Sequence, residues 1–278
     1  MAERPSVQLE LGQAVILGLA QGPTELLPVS SSAHTTLIPL LLDWPYGQLD
    51  GELRKSFEVA LHAGAVAALA IDMRGELLAA ARELKPRRVV VVGLSLLPPV
   101  LAGATLRGAI ARHLGGPRSI AAGLVGGALA MTIAERGPEG TRHEREAGAA
   151  DGLALGIAQA AALVPGVSRY GATLTAARVR GFSRQGAQTL SWHAALPVML
   201  GASTLEGARL ALANRAPGAA GQLAAGALGA FCSTLLSARL LRRPGRALRS
   251  LLPSALYRLA LAGVVLSRTR AGSRTIGG

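Results

Sequence analysis

Two short stretches hold most of the residues able to do chemistry. Residues 21–34 read QGPTELLPVSSSAH and residues 164–173 read VPGVSRYGAT. The first sets a carboxylate (Glu25), three consecutive serines (Ser30, Ser31, Ser32) and an imidazole (His34) close together. These types suit proton transfer, nucleophilic attack and cation binding. The second sets Ser168 and Arg169 between Gly166 and Gly171, with Tyr170 and Thr173 alongside. An arginine guanidinium matches phosphate, and glycines free backbone N–H groups to turn toward an anion. A helix resuming at about Ala172 adds its positive end. A carboxylate, hydroxyls and an imidazole facing an anion cradle read as phosphoryl chemistry, which needs a nucleophile, charge neutralisation and often a divalent metal. Glu25 fits two roles there, ligand to Mg2+ or Ca2+ or general base. Ser31 or Ser32 fits attack with His34 as proton acceptor; His34 equally fits direct attack or activation of water.

The elements that must position these groups are apolar. Half of the 278 residues are hydrophobic and 16% are charged, against about a quarter charged in soluble domains. Mean hydropathy is +0.38. Six stretches, roughly 57–72, 89–106, 119–135, 187–209, 219–238 and 251–267, are apolar enough to cross a bilayer, which takes about 20 residues. Pro98–Pro99 and Pro197 are expected to kink their helices. Two further segments, 7–42 and 151–178, start apolar, break at a polar, proline-containing centre and resume apolar. They resemble each other: LGLAQ at 17–21 matches LGIAQ at 155–159, and PVSS at 28–31 matches PGVS at 165–168. With the basic loops 74–88 and 239–249 on the cytoplasmic side, counting spans makes the first broken segment start and return outside and the second inside. The repeats are then inverted, with a site near the midplane where the broken helices meet. The expected fold is an all-α integral membrane protein, one membrane domain over 1–278. It has six transmembrane helices plus two re-entrant helix pairs in inverted-topology repeats, approximately 7–135 and 151–267, joined by the charged loop 136–150. Ionisable groups at membrane depth are costly, so the Glu25–His34 cluster reads as a site and not as a solvated loop.

Other readings fall away. Net charge is +13, and all basic residues but Lys55 and Lys85 are arginine. They gather at the ends of apolar stretches, eight aromatics are present in all, and no nucleic-acid-reading motif occurs. The charge therefore fits membrane topology and anionic lipid. The lone Cys232 allows no internal disulfide and no metal spacing, and is expected as a small buried hydrophobe. The apolar run 11–20 lacks a basic flank and leads straight into the first motif, unlike a cleaved signal. Glu58 and His62, one turn apart, and His193 at a comparable place in the second repeat read as helix–helix or solvated groups. His113 and His143 lie in charged loops. Inverted repeats with broken helices also suit a transporter or flippase for a phosphorylated lipid (an isoprenoid one, on the resemblance given next), which binds without cleaving. The type 2 phosphatidic acid phosphatase order is absent, since no histidine or aspartate follows Arg169 within twenty residues.

QGPTELLPVSSSAH and VPGVSRYGAT, with SFEVALHAG at 56–64 and LPVMLGAS at 196–203, closely resemble the signatures of the undecaprenyl-diphosphate phosphatase family, also called bacitracin-resistance proteins. The resemblance spans essentially the whole chain. It implies a multi-pass enzyme of the bacterial inner membrane that hydrolyses a long-chain prenyl diphosphate and recycles the lipid carrier for peptidoglycan synthesis. It further implies a site facing the extracytoplasmic side, a divalent cation and, in many members, a homodimer. Glu25 matches the second acid of the family's glutamate-rich stretch. Ser31 and His34 match its catalytic serine and histidine, and Ser168 and Arg169 its phosphate-binding pair. Gln21 stands where many members have a first glutamate, so its carbonyl would replace a charged metal ligand. Tyr170 replaces a usual serine and Ala33 a usual glycine.

Overall fold

The computed structural model describes residues 9–82, 85–213, 218–242 and 249–274. Residues 7–8 of the first broken segment, 83–84 of the 74–88 loop and 243–248 of the 239–249 loop lie outside them. The arms of the first broken segment are α1 (Leu11–Leu26) and α2 (Ser31–Leu41). Then come α3 (Gly51–Asp72), α4 (Arg74–Arg82), α5 (Pro86–His113) and α6 (Pro117–Arg136). The second broken segment forms α7 (Ala149–Ala161) and α8 (Arg169–Val179), followed by α9 (Arg184–Ala213), α10 (Ala220–Leu241) and α11 (Leu252–Arg274). No strand occurs among the described residues; Arg142 and Phe182 form one isolated bridge.

Helix starts follow local chemistry. Pro86 and Pro117 open α5 and α6, where a missing N–H breaks no bond. The Asp50 carboxylate caps α3 by accepting the Glu52 and Leu53 N–H groups at 2.9 and 3.1 Å. Ser168 caps α8 by accepting the Gly171 N–H at 3.1 Å. The second arm therefore resumes at Arg169, three residues before the expected Ala172. Two more expectations are corrected. The 74–88 loop contains α4, and Cys232 is exposed, not buried. Cys232 shares one α10 face with exposed Leu228 and Leu236, because residues four apart line one side of a helix. α5 and α9 continue through Pro98–Pro99 and Pro197.

Each of the six apolar stretches falls on one helix. Among the described residues, three helices, Pro86–Leu114, Pro117–Arg136 and Ala220–Leu241, are long and apolar enough to cross a membrane. The other three have comparable length but carry charges: Arg54, Lys55 and Glu58 on α3, Glu206 and Arg209 on α9, Arg258 and Arg268 on α11. Large aliphatic side chains face outward along α5, α6 and α10, among them Leu97, Leu101, Leu129, Ile133 and Leu228. Exposed apolar surface on this scale is foreign to a water-facing monomer.

The broken segments pack against distant helices. α1 lies along α10, which also lines α3, while α7 lies along α5 and α11 along α6. Close approach explains the glycines in the repeated motif. A Cβ on Gly18 would sit 2.6 Å from the Gly226 carbonyl oxygen, and one on Gly156 would sit 2.7 Å from that of Leu94. Beside these contacts, Ser233 donates to the Leu19 carbonyl at 2.5 Å and Gln159 to the Ser95 carbonyl at 3.0 Å. Leu17, Phe57, Leu61 and Ala230 fill the α1–α3–α10 junction. Leu37, Ile120, Leu124 and Val265 fill that of α2, α6 and α11.

Candidate functional site

The first break spans residues 27–30, between α1 and α2. Ser30 adopts φ 77°, a left-handed conformation that strains a residue with a side chain. The second break spans residues 162–168. Gly166 there has φ 94°, which glycine takes without strain. The two breaks meet at Arg258 of α11, whose side chain is 1% exposed. Its guanidinium donates to the Pro28 carbonyl (3.3 Å) in the first break and to the Gly166 carbonyl (2.7 Å) in the second. It also donates to Gly123 (3.2 Å) and Leu124 (3.2 Å) on α6. Broken helices leave carbonyls without intrahelical partners, and one fork of five N–H donors answers one in each break while its remaining bonds tie it to α6. Sequence reasoning missed Arg258, since nothing local marks it apart from a basic residue in an apolar run.

Across this joint, the Arg169 Nη2 pairs with the Glu25 Oε1. The other carboxylate oxygen of Glu25 accepts the Ser31 hydroxyl at 2.7 Å and the Gln21 side-chain amide at 3.1 Å. Gln21 and Glu25 sit four residues apart on α1 and so face the same way. Both are buried. The guanidinium, 23% exposed, is the open side of the pair. His62 of α3 lies within electrostatic reach of Glu25, and its Nδ1 is 2.8 Å from the Glu58 carbonyl oxygen.

A second group adjoins the first. His34, 7% exposed, has Nδ1 2.7 Å from the Ser30 carbonyl oxygen and Nε2 2.7 Å from the Tyr257 hydroxyl of α11. The Ser30 and Ser32 hydroxyls are 3.3 Å apart. Ser31 is thus bonded to Glu25 and not to His34. Ser168 is occupied in capping α8. Thr173 donates back to the Arg169 and Tyr170 carbonyls at 3.0 and 3.2 Å, and Tyr170 packs its ring on Trp192 at 4.7 Å between centroids. Neither Tyr170 nor Thr173 bonds to the Glu25 group. His193 contacts Arg88, and His113 and His143 are exposed. Tyr257, like Arg258, carried no sequence signal.

Among the described residues, no three His, Cys, Asp or Glu side chains cluster as a metal cage. The oxygens near Glu25 still suit a hard cation in part. The Gln21 Oε1 is buried without a hydrogen-bond partner, beside a carboxylate. Mg2+ typically takes one or two carboxylates plus substrate phosphates.

An apolar helical bundle, with a buried Glu–Arg–Ser centre built where two broken helices meet, defines a helical membrane protein. A family model described as bacitracin resistance protein BacA matches residues 14–264. The chain is 36% identical over 269 residues to an undecaprenyl-diphosphatase of Thioalkalivibrio sulfidiphilus, covering 93% of this chain and 98% of the relative. It is 35% identical over 276 residues to one of Geobacter sulfurreducens, with the same coverage. It is 34% identical over 278 residues to undecaprenyl-diphosphatase 2 of Stutzerimonas stutzeri, again at 93% and 98%. The chain belongs to the bacitracin resistance protein family.

Proposed function

We propose that this protein hydrolyses undecaprenyl diphosphate to undecaprenyl phosphate and inorganic phosphate, returning the lipid carrier to peptidoglycan synthesis. Relatives named undecaprenyl-diphosphatase align over nearly their whole length. The observation that carries the chemistry is the bonded chain Ser31–Glu25–Arg169 across the two breaks. A serine that already donates to a carboxylate is poised to lose its proton to it. In this reading the Ser31 Oγ attacks the terminal phosphorus while Glu25 takes the hydroxyl proton. The bridging P–O bond breaks, and prenyl phosphate leaves with the bond electrons. Arg169 keeps further N–H donors beside the one on Glu25 and holds the phosphoryl oxygens. Water then hydrolyses the phosphoserine, its proton going to the His34 Nε2, and Ser31 recovers its hydrogen from Glu25.

A divalent cation, Mg2+ or Ca2+, is proposed beside Glu25 and Gln21. When bound it would neutralise diphosphate charge. The proposed architecture is six spanning helices and two re-entrant pairs in inverted repeats, in the bacterial inner membrane with the site facing outward. The crossed packing supports it: α1 of the first half lies on α10 of the second, and α7 of the second on α5 of the first. A two-fold exchange predicts that relation.

The deciding experiment is phosphate release from undecaprenyl diphosphate by protein purified in detergent, with and without Mg2+. Release that disappears in Ser31→Ala and Glu25→Gln supports the reading. Binding without release would replace it with transport.

A further inference from the structure

Tyr257 lies outside both motifs, yet its hydroxyl is one of the two atoms that hold His34. Its oxygen is 2.7 Å from Nε2, and the two rings lie parallel within 4°, offset with centroids 5.6 Å apart. The other ring nitrogen, Nδ1, is 2.7 Å from the Ser30 carbonyl oxygen. A carbonyl oxygen has no hydrogen to donate, so the proton of this bond sits on Nδ1. In a neutral imidazole Nε2 is then the acceptor, and Tyr257 is the donor. In an imidazolium Nε2 also carries a hydrogen, and the tyrosine oxygen accepts it. A hydroxyl answers both states by turning its O–H, while the ring stays in place. A carbonyl or an ammonium in its position would answer only one.

The surroundings make this geometry stiff. The Ser30 carbonyl belongs to a left-handed residue in the first break. The next residue along α11, Arg258, ties that break to the second one through Pro28 and Gly166. Tyr257 is therefore carried by the same helix turn that locks both breaks together. Its side chain is also open: Tyr257 is 46% exposed where His34 is 7% exposed.

We propose that Tyr257 is a positioning residue which, opposite the Ser30 carbonyl, fixes His34 as its Nδ1–H tautomer and makes Nε2 the atom that takes up the proton and gives it back. The assignment rests on the phosphatase reading for its kinetic consequence. It does not rest on that reading for the tautomer.

The test combines nitrogen NMR with kinetics on the full-length protein in detergent. Histidine is labelled with 15N, and the His34 signals are identified by their loss in His34→Gln. In wild type the Nδ1 is expected as the protonated, pyrrole-type nitrogen and the Nε2 as a pyridine-type nitrogen shifted by an accepted hydrogen bond. In Tyr257→Phe, which keeps the ring, the Nε2 signal is expected to move to that of a free pyridine-type nitrogen. Phosphate release from undecaprenyl diphosphate is expected to fall by about tenfold in kcat with KM little changed, the mark of lost orientation. A hydrogen on Nε2 of neutral wild-type His34 overturns the proposal. So does a Phe variant with an unmoved Nε2 signal or with wild-type kcat. If wild type releases no phosphate at all, the phosphatase reading fails, and the nitrogen signals still decide the tautomer assignment.

Discussion

Arg169 closes on the carboxylate of Glu25 across 144 residues of sequence, joining the two helix breaks through one ion pair. The pair is partly buried, with side-chain exposures of 23% and 5%. In the proposed reaction its two members hold the phosphoryl oxygens and take the serine proton.

Arg169→Ala is expected to abolish phosphate release, by at least about a hundredfold. It is also expected to destabilise the fold by roughly 3–5 kcal/mol, because it leaves a buried carboxylate uncompensated. Glu25→Gln in the same background should recover much of the stability and none of the activity. Thermal unfolding of the single and double variants, beside phosphate release, checks this; additive losses in stability would mean that the two side chains are not coupled.

Arg258→Met keeps the length of the side chain and removes its donors. The Pro28 and Gly166 carbonyls in the two breaks then lose their partner, at about 1–3 kcal/mol for each that stays buried and unsatisfied, and the Gly123 and Leu124 carbonyls of α6 lose their second donor. A clear drop in melting temperature and loss of phosphate release are expected together, since both breaks shift. A variant with native melting temperature and turnover would contradict the role of Arg258 as the joint.

Gln21→Glu adds a second carboxylate one turn from Glu25. If residue 21 contributes an oxygen to the proposed cation, half-maximal activity should need several-fold less Mg2+. A titration of phosphate release against Mg2+ measures this, and an unchanged curve removes residue 21 from the cation site.

Asp151, in the first turn of α7 where it meets the 136–150 loop, predicts acid sensitivity. Burial alone would raise its pKa. The Arg142 guanidinium, the Gly148 N–H and Arg180 outweigh burial and hold it at about 2, with bonds of 2.7–3.2 Å. A depressed pKa contributes stability that is complete above the unfolded value of about 3.9 and is lost as pH falls toward about 2. Melting temperature should therefore fall between about pH 4 and pH 2, and Asp151→Asn should flatten that part of the curve while lowering stability above it.

Much of this protein was legible in its amino-acid order. Apolar runs, breaks at Pro28 and Pro165, and glycines at matched places specify helices, where they stop and where they approach closely, because these properties depend on neighbours in sequence. The same holds for the chemical inventory of Glu25, Ser31, His34 and Arg169. Helix boundaries were less legible where a side chain decides them, as with the Ser168 cap that starts α8 at Arg169. Only the tertiary structure decided who bonds to whom. Ser31 and His34, three residues apart, look like a dyad in sequence. The left-handed turn at Ser30 and the packing of α11 send Ser31 to Glu25 and His34 to Tyr257. Arg258 and Tyr257 stand in an ordinary apolar helix, and their meaning comes from carbonyls and an imidazole that the fold brings from as far as 230 residues away. Partners at that separation are chosen by packing, and no local pattern of residues encodes them.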